Sequence, residues 1–106
     1  MQGLGQALCE AMVYDSSSGQ AVTASLMEYA LPSADMAVDF VHELDQSTPC
    51  LNTPLGVKGV GELSTIGATP AVVDAVVDAL ARVGKSDAEL HLQMPLTSAQ
   101  SWRALQ

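Results

Sequence analysis

Residues 69–84 read TPAVVDAVVDALARVG, and this stretch decides the fold because it carries the clearest helical pattern in the chain. Thr69 followed by Pro70 fits a helix start, since Thr caps helix N-termini and Pro favours the first helical position. Gly84 fits the helix end. Apolar side chains recur every three or four residues, as on one helix face: Val72, Val73, Val76, Val77, Leu80 and Val83. The pattern predicts a helix over 69–84 whose valine face packs on other apolar groups.

Two further helices are predicted near the ends of the chain. Apolar residues between Gln2 and Tyr14 form one stripe with helical spacing, which predicts an amphipathic helix there. Near the other end, Thr97 and Gln100 have the spacing of a capping box. We expect a short helix over 98–105, anchored by Trp102.

Alternating apolar and polar side chains predict short strands between these helices. The signal is weak over 22–26, clearer over Val38 to Leu44, and present again over Glu89 to Met94. Between the first helix and the first strand, Asp15 to Gly19 reads as a turn. The sequence therefore predicts an α+β fold, in which a small mixed sheet is packed by two or three helices.

Composition limits the classes of protein that the chain can belong to. It has 106 residues, 48% of them apolar, and a net charge of −8, which predicts one small acidic domain over 1–106 with an aliphatic core. No basic cluster is present to bind nucleic acid or an anionic membrane. The chain also lacks a run of about 18 consecutive apolar residues and a signal-peptide pattern. We therefore expect a cytoplasmic protein. Cys9 and Cys50 lack metal or redox spacing, so we expect free thiols, and a disulfide between them stays open because spacing alone does not decide it.

A glycine-rich loop, residues 55–68 with the sequence LGVKGVGELSTIGA, precedes the main helix. It fails as a phosphate-binding loop because Glu62 and Leu63 stand where Lys and Ser or Thr are required, and Ser64 breaks the dinucleotide fingerprint. Glu62 remains as a carboxylate on backbone that a bulky ligand can approach closely. A loop glutamate of this kind is either a positioned general base or a solvated side chain, and composition alone favours the solvated reading.

Four segments, in order along the chain, resemble one enzyme family. NTPLGVKGVGELSTIGATPAVVDAVVDAL, residues 52–80, is similar to the C-terminal signature of the large, molybdenum-binding subunit of the xanthine dehydrogenase and aldehyde oxidase family, which includes aerobic carbon monoxide dehydrogenases. The other three are QGLGQALCEAMVYD at 2–15, TASLMEYALPSAD at 23–35 and MPLTSAQSWRAL at 94–105. The resemblance implies that the chain is the C-terminal segment of a molybdopterin-binding domain.

That family hydroxylates carbon centres with a molybdenum cofactor bound to molybdopterin, and water supplies the oxygen. The resemblance implies that Glu62, in the GVGE motif, is the general base, and that Gly59, Val60 and Gly61 form the loop near the molybdenum. It also implies three partners: the remainder of the subunit, an iron–sulfur subunit and an FAD subunit. No residue of this chain is expected to bind the metal directly.

Several features depart from the family pattern. Leu63 and Ser64 follow the glutamate where relatives commonly have Ala-Gly, Thr69 replaces a usual Pro, and Asp74 replaces a usual Asn. The chain matches only the final portion of the family subunit, so most pterin-binding segments are missing. We therefore expect the isolated chain to be inactive and to hold no cofactor. The alternative is a truncated or mobile-gene protein that uses the inherited fold for self-association or partner binding, and a homodimer is expected for the isolated chain.

Overall fold

The computed structural model describes residues 1–85 and 92–106, and its regular structure there is helical. Helix α1 spans Gln2–Leu8, helix α2 spans Leu63–Arg82 and helix α3 spans Ser98–Ala104. A single 3₁₀ turn covers Ala34–Met36. The α2 helix is the longest element, and both the N-terminal helix and the glycine-rich loop are positioned by it.

Helix α2 is longer than its sequence pattern predicts. It begins at Leu63, six residues before the expected start at Thr69, and Pro70 lies inside it. Proline has no N–H to donate within a helix, which normally disfavours an interior position. The added turns are held instead by α1, because Ala68 and the Thr65 carbonyl lie directly against Gly3. A tertiary contact has therefore overridden the local start signal.

The contact between α1 and α2 centres on Thr69, which is buried. Its hydroxyl oxygen lies 3.4 Å from the Gly3 carbonyl oxygen, 3.2 Å from Gln6 Oε1 and 3.3 Å from the Thr65 carbonyl oxygen. A hydroxyl carries one proton, so it donates to one of these acceptors at a time. The predicted cap residue is thus an interior residue that joins the two helices.

The C-terminal segment closes on the other side of α1. The Leu96 backbone N–H donates to the Ala7 carbonyl at 2.6 Å. Ala7, Leu80 and Leu96 are the buried apolar residues in the described part of the chain. The core is therefore a small contact among α1, α2 and the segment just before α3.

Helix α1 ends at Leu8, whereas the sequence predicted that it would continue to Tyr14. Beyond it the chain forms a narrow turn, closed by an isolated bridge between Tyr14 and Ala21. The turn predicted at Asp15 to Gly19 is confirmed: the Asp15 carboxylate accepts the Ser18 backbone N–H at 2.8 Å, and Gly19 has a φ of 70°. A left-handed φ of this kind favours glycine.

The predicted α+β fold with a small mixed sheet is wrong, because residues 1–85 and 92–106 contain no strand. Residues 22–26 and 38–44 have irregular structure. Strands are stabilised by pairing and by burial of one face, and the expected inner face of 38–44 finds no cover, since Val38, Phe40 and Leu44 are exposed. In the third predicted strand, residues 89–91 lie outside the described residues, and 92–94 are irregular.

The terminal helix is confirmed, whereas its anchor is not. Helix α3 begins after Thr97, whose side chain accepts the Gln100 backbone N–H at 3.3 Å, as the capping spacing predicts. Trp102 was expected to anchor this helix, yet its side chain is 61% exposed.

The chain buries much less surface than a compact domain of its size. Its accessible area is 8472 Å², whereas a folded chain of 11.0 kDa is expected to expose about 5,600 Å². Its radius of gyration is 18.1 Å, compared with about 13 Å for a globular domain of this length. The aliphatic core expected from composition is therefore largely unformed within this chain.

Helix α2 contributes Leu63 and Ile66 to this exposed apolar surface. By length and composition alone it could cross a membrane. It contains no uninterrupted run of apolar residues of that length, so the sequence did not predict this property. Asp74 and Asp78 lie within the helix and are exposed. Each acidic side chain placed near a bilayer centre would cost about 2.5 to 3.5 kcal/mol. Their presence favours a helix that packs on protein.

Glycine substitutions test the packing of α1. We expect Gly3→Ala and Gly5→Ala to lower the free energy of unfolding, because an added Cβ at Gly3 would lie 2.9 Å from the Ala68 Cβ and one at Gly5 would collide with Pro32. Gly67→Ala is the control, since nothing lies within 4 Å of its added Cβ. It should stabilise α2 by about 0.5 to 1 kcal/mol, the difference in helix propensity. Thermal unfolding followed by circular dichroism measures all three, and a stabilised Gly3→Ala variant would contradict the close approach.

Candidate functional site

The glycine-rich loop is a series of turns that ends at the start of α2. The Cys50 backbone N–H donates to the Gly56 carbonyl at 2.9 Å, and the Gly56 N–H donates to the Thr53 carbonyl at 3.1 Å. Gly56 has a φ of 67°, in the left-handed region. A second turn follows, in which the Leu63 N–H reaches the Val60 carbonyl at 3.3 Å. These turns set where the motif GVGE meets the helix.

Glu62 is the residue that immediately precedes α2. Its carbonyl accepts the Ile66 N–H at 3.1 Å, whereas its side chain makes no capping hydrogen bond. The side chain is exposed. Glu62 is thus fixed through its backbone, and its carboxylate is available to accept a proton or a hydrogen bond from a bound molecule.

Gly59, Val60 and Gly61 lie beside Glu62 and are exposed. A Cβ built on Gly59 or Gly61 would meet nothing within 4 Å. Packing inside this chain therefore does not require glycine at either position, and both leave open space next to the backbone. The four predicted site residues, 59–62, are consecutive in the chain and therefore lie together on this loop.

These four residues do not by themselves enclose a cofactor. They form one open surface. An apolar groove in the described structure lies along α2 and does not include them. Among the described residues there is also no cluster of three or more His, Cys, Asp or Glu side chains suited to a metal ion. A complete binding site would need groups opposite the loop, and residues 1–85 and 92–106 place none within 4 Å of a Cβ built on Gly59 or Gly61.

Some carboxylates outside the loop are perturbed by local hydrogen bonds. The hydroxyls of Ser17 and Ser18 donate to Asp15 and hold the pKa of its carboxyl well below the usual range. Tyr29 donates to Glu10 Oε2 at 2.8 Å, which raises the pKa of the Tyr29 phenol. The first set of bonds holds the turn at Asp15, and the second joins Tyr29 to the residues just after α1. Neither involves the glycine-rich loop.

An apolar groove of about 570 Å³, which the sequence pattern did not predict, lies along α2. The groove is formed by one face of the helix: Ala71, Val72, Ala75, Val76, Ala79 and Leu80. Met1, Leu4 and Phe40 also line it. The alanines at intervals of four could have indicated this groove. The neighbouring valines, however, are typical of a buried core and predicted one here. In the structure Val72 and Val76 are only half-buried.

Comparison with known proteins identifies a family to which part of the chain is similar. Residues 1–38 match the family described as the molybdopterin cofactor-binding domain. Those residues include α1 and the loop that packs on it. The match covers the N-terminal third of the chain and does not extend to Glu62.

Individual relatives match the chain over nearly its whole length. It is 39% identical over 106 residues to the carbon monoxide dehydrogenase large chain of Hydrogenophaga pseudoflava, which covers 98% of this chain. It is 38% identical over 105 residues, again 98% of the chain, to the nicotine 6-hydroxylase large subunit of Paenarthrobacter nicotinovorans. Subunit gamma of the 6-hydroxypseudooxynicotine dehydrogenase complex of the same organism is 37% identical over 102 residues, or 94% of the chain.

The chain is therefore a relative of the molybdenum-binding large subunits of molybdenum hydroxylases, as its motifs predicted. It spans 12% of the length of each of these three relatives. No solved structure matches the chain.

Loop glycines provide a test of the open site. We expect Gly59→Ala and Gly61→Ala to leave the free energy of unfolding unchanged or to raise it by up to about 1 kcal/mol, because neither glycine has a positive φ and alanine restricts the unfolded chain. Gly56→Ala should lower it by about 1 to 2 kcal/mol, the cost of a left-handed residue with a Cβ. Denaturant unfolding measures these differences. Destabilisation by Gly61→Ala equal to that of Gly56→Ala would show that the loop is packed.

Proposed function

We propose that this chain is the part of a molybdenum hydroxylase large subunit that supplies the general base of the active site. The observation that carries this proposal is the 37 to 39% identity to three large-subunit relatives over 94 to 98% of the chain. In this proposal Glu62 is the base, and Gly59, Val60 and Gly61 form the loop beside the cofactor.

The position of Glu62 suits a base. Its backbone is fixed by the start of α2, whereas its carboxylate has no capping bond and is exposed. A general base must reach the proton that it removes, within hydrogen-bonding distance in the assembled site. Oxidation of the substrate belongs to the cofactor of a complete subunit, and this chain contributes the proton acceptor and the loop that holds it.

The open loop supports a role within a larger assembly. In the part of the chain that the structure describes, nothing lies within 4 Å of a Cβ built on Gly59 or Gly61, and the chain corresponds to 12% of each large-subunit relative. We therefore propose the remainder of the large subunit as its partner in catalysis, together with iron–sulfur and FAD subunits. The relatives differ in the compounds that their names specify, so the substrate of this chain is not assigned.

A second candidate function rests on the exposed face of α2. A chain of this size that keeps so much apolar surface outside is suited to pairing with another protein surface. In this alternative the inherited fold serves self-association and catalysis plays no part.

A hybrid subunit tests Glu62 directly. Residues 1–106 replace the matching stretch in the carbon monoxide dehydrogenase large chain of Hydrogenophaga pseudoflava, and the hybrid is purified with its other subunits. We expect Glu62→Gln to reduce turnover at least about 100-fold, since the amide keeps the shape but cannot accept the proton. Molybdenum content should stay the same. Asp74→Asn is the matched control, because it also removes one exposed carboxylate, on α2, and should leave turnover unchanged.

Two results would contradict the proposal. An active hybrid in which Glu62→Gln keeps near-normal turnover would remove the base role. A hybrid that assembles with molybdenum but has no activity even with Glu62 would show that this stretch does not substitute for that of its relatives.

The chain purified alone provides a separate prediction. We expect it to contain no molybdenum and no absorption above the protein band at 280 nm, because its loop offers one open side to a cofactor. Metal analysis of protein produced in a host that synthesises the cofactor measures this. Stoichiometric molybdenum would show that the site is complete within the 106 residues.

A further inference from the structure

We propose that Thr69 is a positioning residue for Glu62. Its buried hydroxyl joins α1 to α2 and thereby holds the first turns of α2, which fix where Glu62 lies. The inference rests on the proposed function, because Glu62 is the base only in that proposal. It assigns a role in catalysis to a residue that lies outside the glycine-rich loop.

The first turns of α2 are weakly specified by their own sequence. Helix α2 begins at Leu63, and Pro70 lies inside it. Proline has no N–H to donate, so the Ile66 carbonyl, four residues earlier, receives no helical hydrogen bond from that position. The Glu62 side chain does not cap the helix either. This part of α2 therefore depends on contacts with other elements.

Helix α1 supplies those contacts. A Cβ built on Gly3 would lie 2.9 Å from the Ala68 Cβ and 3.1 Å from the Thr65 carbonyl oxygen, so the α1 backbone lies against the first turns of α2. The same built Cβ would lie 3.1 Å from the Thr69 hydroxyl oxygen. Two of the three possible acceptors of this hydroxyl belong to α1, namely the Gly3 carbonyl and Gln6 Oε1. The hydroxyl therefore lies between the two helices where they are in contact.

The third acceptor, the Thr65 carbonyl, lies within α2 itself. A threonine hydroxyl in a helix often bonds the carbonyl four residues earlier, and Thr69 makes this contact at 3.3 Å. In an α-helix the backbone N–H of residue 69 also donates to that carbonyl, so α2 keeps a bond there with any side chain. A methyl group in place of the hydroxyl would instead leave the Gly3 carbonyl and Gln6 Oε1 facing an apolar group, which costs free energy in a buried contact. Removal of the hydroxyl is therefore expected to weaken the contact with α1 in particular.

The start of α2 determines where the Glu62 carboxylate lies. The Glu62 carbonyl accepts the Ile66 N–H at 3.1 Å, and this bond is lost when residues 63–68 open. A general base must lie within hydrogen-bonding reach of its proton, and a misplacement of about 1 Å can lower a rate about 100-fold. Loss of the Thr69 hydroxyl should thus lower turnover by displacing the base.

Hydrogen exchange of the 106-residue chain tests the positioning step without a cofactor. We expect Thr69→Val to raise the exchange rate of the Ile66 amide about 10-fold, because the first turns of α2 open more often. The amide of Val77, in a later turn of α2, should keep its rate. Thr97→Val is the matched control, since it removes a threonine hydroxyl that caps α3 and should leave the Ile66 rate unchanged.

The hybrid large subunit tests the consequence for catalysis. We expect Thr69→Val to lower kcat about 10-fold, part of the effect of a general base, with KM and molybdenum content unchanged. Thr69→Ser keeps the hydroxyl and should restore most of the rate. In the Glu62→Gln hybrid, Thr69→Val should cause no further loss, because a residue that acts through Glu62 then has no base to position. Thr97→Val should keep the normal kcat.

Three results would overturn the inference. Equal increases in exchange at Ile66 and Val77 would show that Thr69 stabilises the whole fold and not the start of α2. A normal kcat in Thr69→Val, together with a large loss in Glu62→Gln, would remove the positioning role alone. Losses that multiply in the double variant would show that Thr69 acts independently of Glu62.

The outcome for the proposed function is separate. Near-normal turnover of the Glu62→Gln hybrid would contradict the base role of Glu62. The exchange rate of the Ile66 amide would still decide whether Thr69 holds the start of α2, because that measurement does not depend on turnover.

Discussion

The close approach of α1 to α2 is the constraint on which the rest of this structure depends. Gly3 has no side chain, so Ala68 and the Thr65 carbonyl can lie against its backbone, and the Thr69 hydroxyl bridges the two helices. This contact holds the first turns of α2, and those turns fix the end of the glycine-rich loop. The position of Glu62 at the helix start is therefore a consequence of packing almost sixty residues earlier in the chain.

Local signals predicted those parts of the fold that local interactions stabilise. Residues 69–82 form a helix as their spacing indicates, Thr97 caps α3, and Asp15 organises its turn. The start of α2 was not predictable in this way, because the contact with α1 holds its first turns. The apolar spacing also did not indicate that α1 ends at Leu8. The predicted strands failed for a related reason: alternation specifies a face to bury, but Val38, Phe40 and Leu44 stay largely exposed in the part of the chain that the structure describes.

The candidate site divides in the same manner. The motif GVGE located Glu62 and its loop, and sequence relatives confirm the family to which the motif pointed. The spacing of residues could not reveal that the loop would be open on one side, because openness depends on what lies across from Gly59 and Gly61 in space. The groove along α2 was hidden for a similar reason. Alanine and valine are typical of buried helix faces, and only the structure distinguishes a covered face from an exposed one.

The bond between the Leu96 N–H and the Ala7 carbonyl has a consequence for the order in which the chain can fold. It joins a residue near the beginning to one near the end, so the small core has a high contact order and must close a long loop before it gains stability. During synthesis, α1 has no partner until α2 follows, and its contact with the C-terminal segment waits until Leu96 emerges. The native contacts among these three segments are thus complete only after residue 96 has left the ribosome.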